Sequence, residues 1–206
     1  MSAPTRSAPL QIPRAIYDAI IAHARAGKPE EVCGLLRGRD GRVTGMRRAR
    51  NVAANPVTDY EVESSALLAQ VQWEDEGEEM IGIYHSHPAD PAYPSASDAY
   101  QAYYPDAVYL ICSLQDEARP VIRGFRLREV ADRADLARLR RELPFYQTRP
   151  GRFGFYLPAD TPPPPGLDEV GLVPGLAHYV VYQVEGPDRV HLRVVAVEPV
   201  PLEIVE

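Results

Sequence analysis

Ile12, Ile16, Ala19, Ile20 and His23 recur at helical spacing and predict an amphipathic helix over Ile12 to Ala26. Pro13 suits its first position and Gly27 its end. Glu31 to Arg37 contains the apolar run Val32-Cys33-Gly34-Leu35-Leu36 and reads as a buried strand. Asp40-Gly41 is a hairpin turn signal, and Val43 to Arg50 is the returning strand. Asp59 to Glu63 is a further short strand. Ser64 is the N-cap expected for a helix to about Glu76, with Leu67, Leu68 and Val71 on its apolar side. Met80 to His87 reads as a strand and Pro88 to Pro94 as a proline-broken loop, after which Ser95 opens a helix to about Tyr103. Ala107 to Leu114 is a core strand paired with Val121 to Leu127, and Ala131 to Leu143 is an arginine-rich helix.

The pattern changes after Pro144. Pro150, Gly151, Gly154, Pro158 and the run Pro162 to Pro165 predict an irregular, polyproline-like linker. Tyr179 to Val184 and Val190 to Val197 predict two strands joined at Glu185 to Asp188. Two strands alone do not make a stable domain. The chain therefore divides into a main domain, 1–143, and an extension, 144–206, of Pro-rich linker and short strands. The extension is expected to dock on the main domain or on a partner subunit, a homodimer being one outcome.

Size and charge narrow the function. A chain of 206 residues suits one domain, or one domain with an extension. Lys+Arg 22 against Asp+Glu 29 gives a net charge of −7, which lacks the electrostatic footprint of a general nucleic-acid binder. No stretch approaches a transmembrane length and Met1 to Pro13 has no apolar signal region, so no membrane partner is expected. Cys33 and Cys112 lie in apolar runs without a Cys-x-x-Cys pair, as buried thiols of a reducing, cytoplasmic compartment would. Lys28 is the one lysine and Asn51 and Asn55 the only asparagines, the bias of a GC-rich genome.

The chemistry concentrates in Tyr84-His85-Ser86-His87-Pro88 and Pro94-Ser95-Ala96-Ser97-Asp98. Alternate strand side chains share a face, so His85 and His87 project together. Asp98 lies one turn into the next helix, and the loop is long enough to fold its carboxylate back onto the histidines. Two imidazoles and a carboxylate suit Zn²⁺, and three protein ligands leave a fourth position open for water. A bare His-x-His is weak evidence, and Ser95-x-x-Asp98 is also a capping box. The two roles are compatible, since a cap fixes the helix that delivers Asp98.

These residues resemble the JAMM (MPN+) signature of the JAB/MPN zinc metalloproteases: Gly82-x-Tyr84-His85-Ser86-His87-Pro88, seven intervening residues, then Ser95-x-x-Asp98, with Glu31-Val32-Cys33-Gly34-Leu35-Leu36 upstream. The resemblance covers roughly Leu10 to Val130 and leaves the tail beyond Leu143 unexplained. It implies an α/β, three-layer, cytidine-deaminase-like fold, a mixed curved β-sheet flanked by helices, here with a β-rich C-terminal extension. It makes 1–143 the catalytic domain, His85, His87 and Asp98 the zinc ligands, and Glu31 rather than Glu30 the general acid/base. Ser95 would donate a hydrogen bond to the developing oxyanion. The implied reaction is hydrolysis of an amide, isopeptide or peptide, after the C-terminal Gly-Gly of a ubiquitin-like modifier or sulfur-carrier protein. A sulfur-carrier–cysteine hydrolase of cysteine biosynthesis is the variant with a small leaving amine.

Rival classes fit less well. A non-catalytic MPN scaffold typically lacks the ligands this chain keeps. A zinc nucleoside deaminase expects His-x-Glu and Pro-Cys-x-x-Cys, and a zincin His-Glu-x-x-His; all are absent. The acidic charge argues modestly against a DNA-associated relative. His23, His178, His191, Trp73 and Tyr100, Tyr103 and Tyr104 read as packing residues.

Overall fold

Ile12 and Pro13, where helical periodicity predicts the start of a helix, lie in a strand, Leu10–Pro13, whose pairing partner stands at the far end of the chain. The computed structural model describes residues 8–167, 170–186 and 189–206. In chain order the elements are β1 (Leu10–Pro13), α1 (Arg14–Gly27), β2 (Cys33–Arg39), β3 (Arg42–Ala49), α2 (Ser64–Leu67), α3 (Ala69–Asp75), β4 (Glu79–His87) and α4 (Ala96–Tyr100). They continue with β5 (Val108–Ser113), β6 (Val121–Ala131), α5 (Leu136–Glu142), β7 (Tyr146–Arg149), β8 (Arg152–Leu157), β9 (Ala177–Val184), β10 (Val190–Val200) and β11 (Leu202–Val205). Two compact units result: 8–93 with Asp106–Phe125 and Pro199–Glu206, and Pro94–Pro105 with Arg126–Glu198.

The larger unit is a mixed sheet in the order β11-β1-β3-β2-β4-β5-β6. β1 pairs in parallel with β11, Leu10 opposite Leu202 and Ile12 opposite Ile204. Ile12 is therefore a buried strand residue, and α1 starts two residues later than its apolar spacing suggests. The β2–β3 turn is as predicted. Asp40 and Gly41 both take positive φ, 52° and 74°, the pair of values a two-residue hairpin of the favoured hand requires. β4 lies between β2, antiparallel, and β5, parallel. Ile20 and Ala24 of α1 pack with Leu36, Ile81, Tyr84, Leu110 and Cys112 in one core. Each fully buried aliphatic there contributes about 1.5–3 kcal/mol.

The helix predicted from Ser64 breaks at Leu68, and the face it buries is not the predicted one. Leu68 and Val71 are 70% and 57% exposed, whereas Ala66, Ala69 and Trp73 are buried. Both stripes are apolar at helical spacing, and the unit selects the one carrying the tryptophan. The short strand read over Asp59 to Glu63 is reduced to one bridge, Asn51 to Val62.

The second unit contains the largest departure from the predicted elements. Tyr146 to Leu157 reads as linker from its glycines and proline but forms the β7–β8 hairpin, turned at Gly151 with φ 76°. Strands β10-β9-β8-β7 run antiparallel in that order. α5 covers them, Leu139 and Leu143 packing with Leu157, Leu167, Val180, Tyr182, Leu192 and Val194. The predicted turn from Glu185 to Asp188 falls partly outside the described residues. Among the described residues no helix is long and apolar enough to cross a membrane.

His178, on β9, is buried, and its Nε2 accepts the Val173 N–H at 3.1 Å. Burial holds its pKa below the ordinary 6.5, with a hydrogen bond to the Leu176 backbone acting weakly in the opposite sense. Below about pH 6.5 the unfolded chain takes up a proton at this histidine that the folded chain resists, so stability falls as the pH drops. Wild type is expected to lose more of its urea midpoint between pH 7.5 and 5.5 than His178→Gln, whose amide oxygen can still accept the Val173 N–H. Equal losses would remove His178 as the cause.

Candidate metal centre

The alternation of β4 places His85 and His87 on one face, both buried. Their Nε2 atoms stand 3.1 Å apart, a separation at which one ring donates to the other or both face a common cation. His87 Nδ1 lies 2.8 Å from the Pro91 carbonyl. A carbonyl only accepts, so Nδ1 carries the proton and Nε2 keeps its lone pair for a ligand. The loop that supplies this carbonyl is tied back by Ser113, whose Oγ donates to the Asp90 carbonyl at 2.6 Å. The Leu114 N–H adds a bond to the His87 carbonyl at 3.0 Å. His85 is oriented differently: the Tyr60 ring stacks on it with centroids 4.1 Å apart and planes 16° from parallel.

Asp98 is delivered by α4. Ser95 is its N-cap, accepting the Asp98 N–H on Oγ at 3.1 Å, and the Ser95 N–H donates to Asp98 Oδ2 at 2.6 Å. This reciprocal capping box fixes the carboxylate rotamer while leaving acceptor positions on the group. His85, His87 and Asp98 each offer a ligand atom, and the three atoms lie within 4.8 Å of one another with all three residues buried. Two nitrogens held ~2.0–2.1 Å from a tetrahedral Zn²⁺ stand about 3.3 Å apart. The observed histidine spacing and the nitrogen–oxygen donor set therefore fit a divalent metal.

Glu31 precedes β2 and is 7% exposed, whereas neighbouring Glu30 is exposed. Cys33 pairs with His85 across the β2–β4 ladder. One step on, the Ser86 N–H donates to the Val32 carbonyl and the Val32 N–H to Ser86 Oγ, each at 2.9 Å. Glu31 is the residue before Val32 in this tied segment, two positions ahead of the Cys33–His85 pair. The Glu31 backbone is fixed from the other side: its N–H donates to the Pro56 carbonyl at 2.7 Å, and Asn51 Nδ2 donates to its carbonyl at 2.9 Å. Burial pushes the Cys33 and Cys112 thiols up to about 12, with the Glu63 and Glu31 carboxylates adding to the effect at Cys33.

A model of the prokaryotic homologs of the JAB domain matches residues 13–128. The chain belongs to this family. A curated desampylase from Haloferax volcanii is 43% identical over 103 residues, 47% of this chain and 74% of that protein. A CysO-cysteine peptidase from Mycobacterium tuberculosis is 37% identical over 115 residues, 54% of this chain and 78% of that one. A solution structure of a protein from Desulfitobacterium hafniense superposes with a TM-score of 0.51 at 36% identity, covering 56% of this chain and 82% of that one.

Within the JAB domain the structure adds orienting partners that sequence reasoning did not name. The Pro91 carbonyl and the Tyr60 ring set the two histidines, Ser86 ties the Glu31 segment to the His-x-His strand, and Asn51 bridges the Glu31 and Asp59 carbonyls. Only Asn51 carried a signal, as one of two asparagines in an asparagine-poor chain. His23 stands outside the converging group, and its Nδ1 hydrogen-bonds the buried Tyr84 hydroxyl at 2.9 Å.

Proposed function

We propose that this chain is a zinc-dependent hydrolase that cleaves the amide bond after the C-terminal Gly-Gly of a ubiquitin-like modifier or sulfur-carrier protein. The observation that carries the reading is the convergence of His85, His87 and Asp98 within 4.8 Å. The relatives named desampylase and CysO-cysteine peptidase support the substrate class. His85 and His87 would hold Zn²⁺ through nitrogen and Asp98 through oxygen. When bound, Zn²⁺ would supply Lewis acidity at the scissile carbonyl and lower the pKa of a coordinated water to ~7.

The protein's own residues do the rest. The Glu31 carboxylate takes the proton of the attacking water and returns it to the leaving amine. The Ser95 hydroxyl accepts the Asp98 N–H through a lone pair, so its own O–H remains to donate to the carbonyl oxygen as negative charge develops. The Pro91 carbonyl keeps His87 in the ligating tautomer. Residues 1–143 form the catalytic domain in this reading, and 144–206 an extension that docks on that domain or on a partner subunit. Two inert, unpaired thiols suit a reducing cytoplasm. The leaving amine is a lysine side chain or a free amino acid, and the peptidase relative favours cysteine as the second.

The test is release of a reporter fused through Gly-Gly to each ubiquitin-like and sulfur-carrier protein of the host. Cleavage stopped by a chelator and restored by Zn²⁺ is expected for at least one fusion. Zinc-loaded protein that cleaves none of them contradicts the reading.

A further inference from the structure

Helix α4 carries Asp98 in five residues, all of them buried. A single short turn is not stable by itself, so the position of the carboxylate depends on what grips the turn. In the second unit the grip comes from the C-terminal strands. Before the cap, the Tyr179 hydroxyl on β9 donates to the Pro94 carbonyl at 2.7 Å. At the first turn, Gly154 on β8 allows a close approach: a Cβ there would stand 2.6 Å from Ala96 Cβ. Beyond the last turn, Arg193 on β10 donates to the Tyr100 carbonyl and, at 2.9 Å, to the Ala102 carbonyl.

Carbonyls at a helix end lack intrahelical donors, and a cation there also suits the helix dipole. Arg193 is 4% exposed, and its Nε donates to Glu129 Oε2 at 2.5 Å, which fixes the plane of the fork. The Tyr100 ring lies under the Arg152 guanidinium at 4.0 Å, and its hydroxyl hydrogen-bonds His191 Nδ1 at 2.9 Å. Every one of these holders lies beyond residue 128, where the match to the JAB family ends.

We propose that strands β8, β9 and β10 form a positioning frame for the ligand-bearing helix, with Arg193 and Tyr179 as positioning residues that set where the Asp98 carboxylate stands. The proposal rests on the metal-centre reading above. It gives the extension a role in metal binding rather than in stability alone. Partners that orient metal ligands in this way typically change metal affinity ~10–100-fold.

The test compares wild type, Tyr179→Phe, Arg193→Gln and, as a control on the same strands, Val184→Thr, whose residue is exposed at the end of β9. Metal-free proteins are titrated with Zn²⁺ in competition with a chromophoric chelator, and with Co²⁺ while its d–d absorption is recorded. Tyr179→Phe and Arg193→Gln should bind Zn²⁺ about tenfold or more weakly and give a shifted Co²⁺ spectrum, with Val184→Thr like wild type. Circular dichroism of the metal-free proteins identifies any variant that does not fold. If Arg193→Gln fails to fold, the near-isosteric Tyr179→Phe decides. Folded variants with wild-type affinity and spectrum overturn the frame and leave the metal centre intact. Wild type that takes up no stoichiometric metal overturns both.

Discussion

Glu31→Gln is expected to retain one equivalent of metal and to lose ~10²–10⁴ in kcat, the usual contribution of a general acid/base. The substitution keeps size and hydrogen-bonding capacity and removes the ability to hold a proton in transit. Glu31 lies outside the group of three converging ligands, so zinc affinity should not change. Its backbone is fixed by Pro56 and Asn51, so the variant should fold normally. KM should stay close to wild type, because the lost interaction belongs to proton transfer and not to ground-state binding. A Glu31→Gln protein with full turnover would remove this residue from the mechanism and reopen the choice of acid/base.

Asp98→Ala and His87→Ala should behave differently, losing metal and activity together. Removing one of three protein ligands leaves too few to hold Zn²⁺ in a catalytic site. Asp98→Ala also removes half of the capping box, a loss that typically costs ~1 kcal/mol, so a small drop in Tm accompanies the loss of metal. His87→Ala spares the helix cap and should show the metal loss, its own stability cost coming from the buried space and the Pro91 hydrogen bond it gives up. The decisive comparison is chelator-competition titration of the two variants beside Glu31→Gln. Metal bound by Asp98→Ala as tightly as by Glu31→Gln would exclude the carboxylate as a ligand.

The sequence was informative wherever the physics is local. Strand alternation put His85 and His87 on one face, the Ser95-x-x-Asp98 spacing encoded a cap, and Asp40-Gly41 encoded a turn with two positive φ values. It was silent where the cause lies elsewhere in the chain. Leu10 to Pro13 is a strand because Leu202–Val205 pairs with it, and no window around Ile12 contains that partner. The helices after Glu63 offered two apolar stripes, and packing chose the one with Trp73 over the one with Leu68 and Val71. Glycine and proline near Gly151 read as linker, yet β9 supplies the register that turns the segment into a hairpin. The partners of the ligands were hidden for a further reason. His87 is set by a backbone carbonyl, which has no letter of its own, and His85 by a ring 25 residues upstream.

The central claim is that His85, His87 and Asp98 hold a single divalent ion. Elemental analysis of the natively purified, unchelated protein tests it most directly. The account predicts one transition-metal equivalent per chain, zinc foremost, in wild type and none in His87→Ala. A correctly folded wild type without stoichiometric metal, or a His87→Ala protein that keeps its full equivalent, would contradict it.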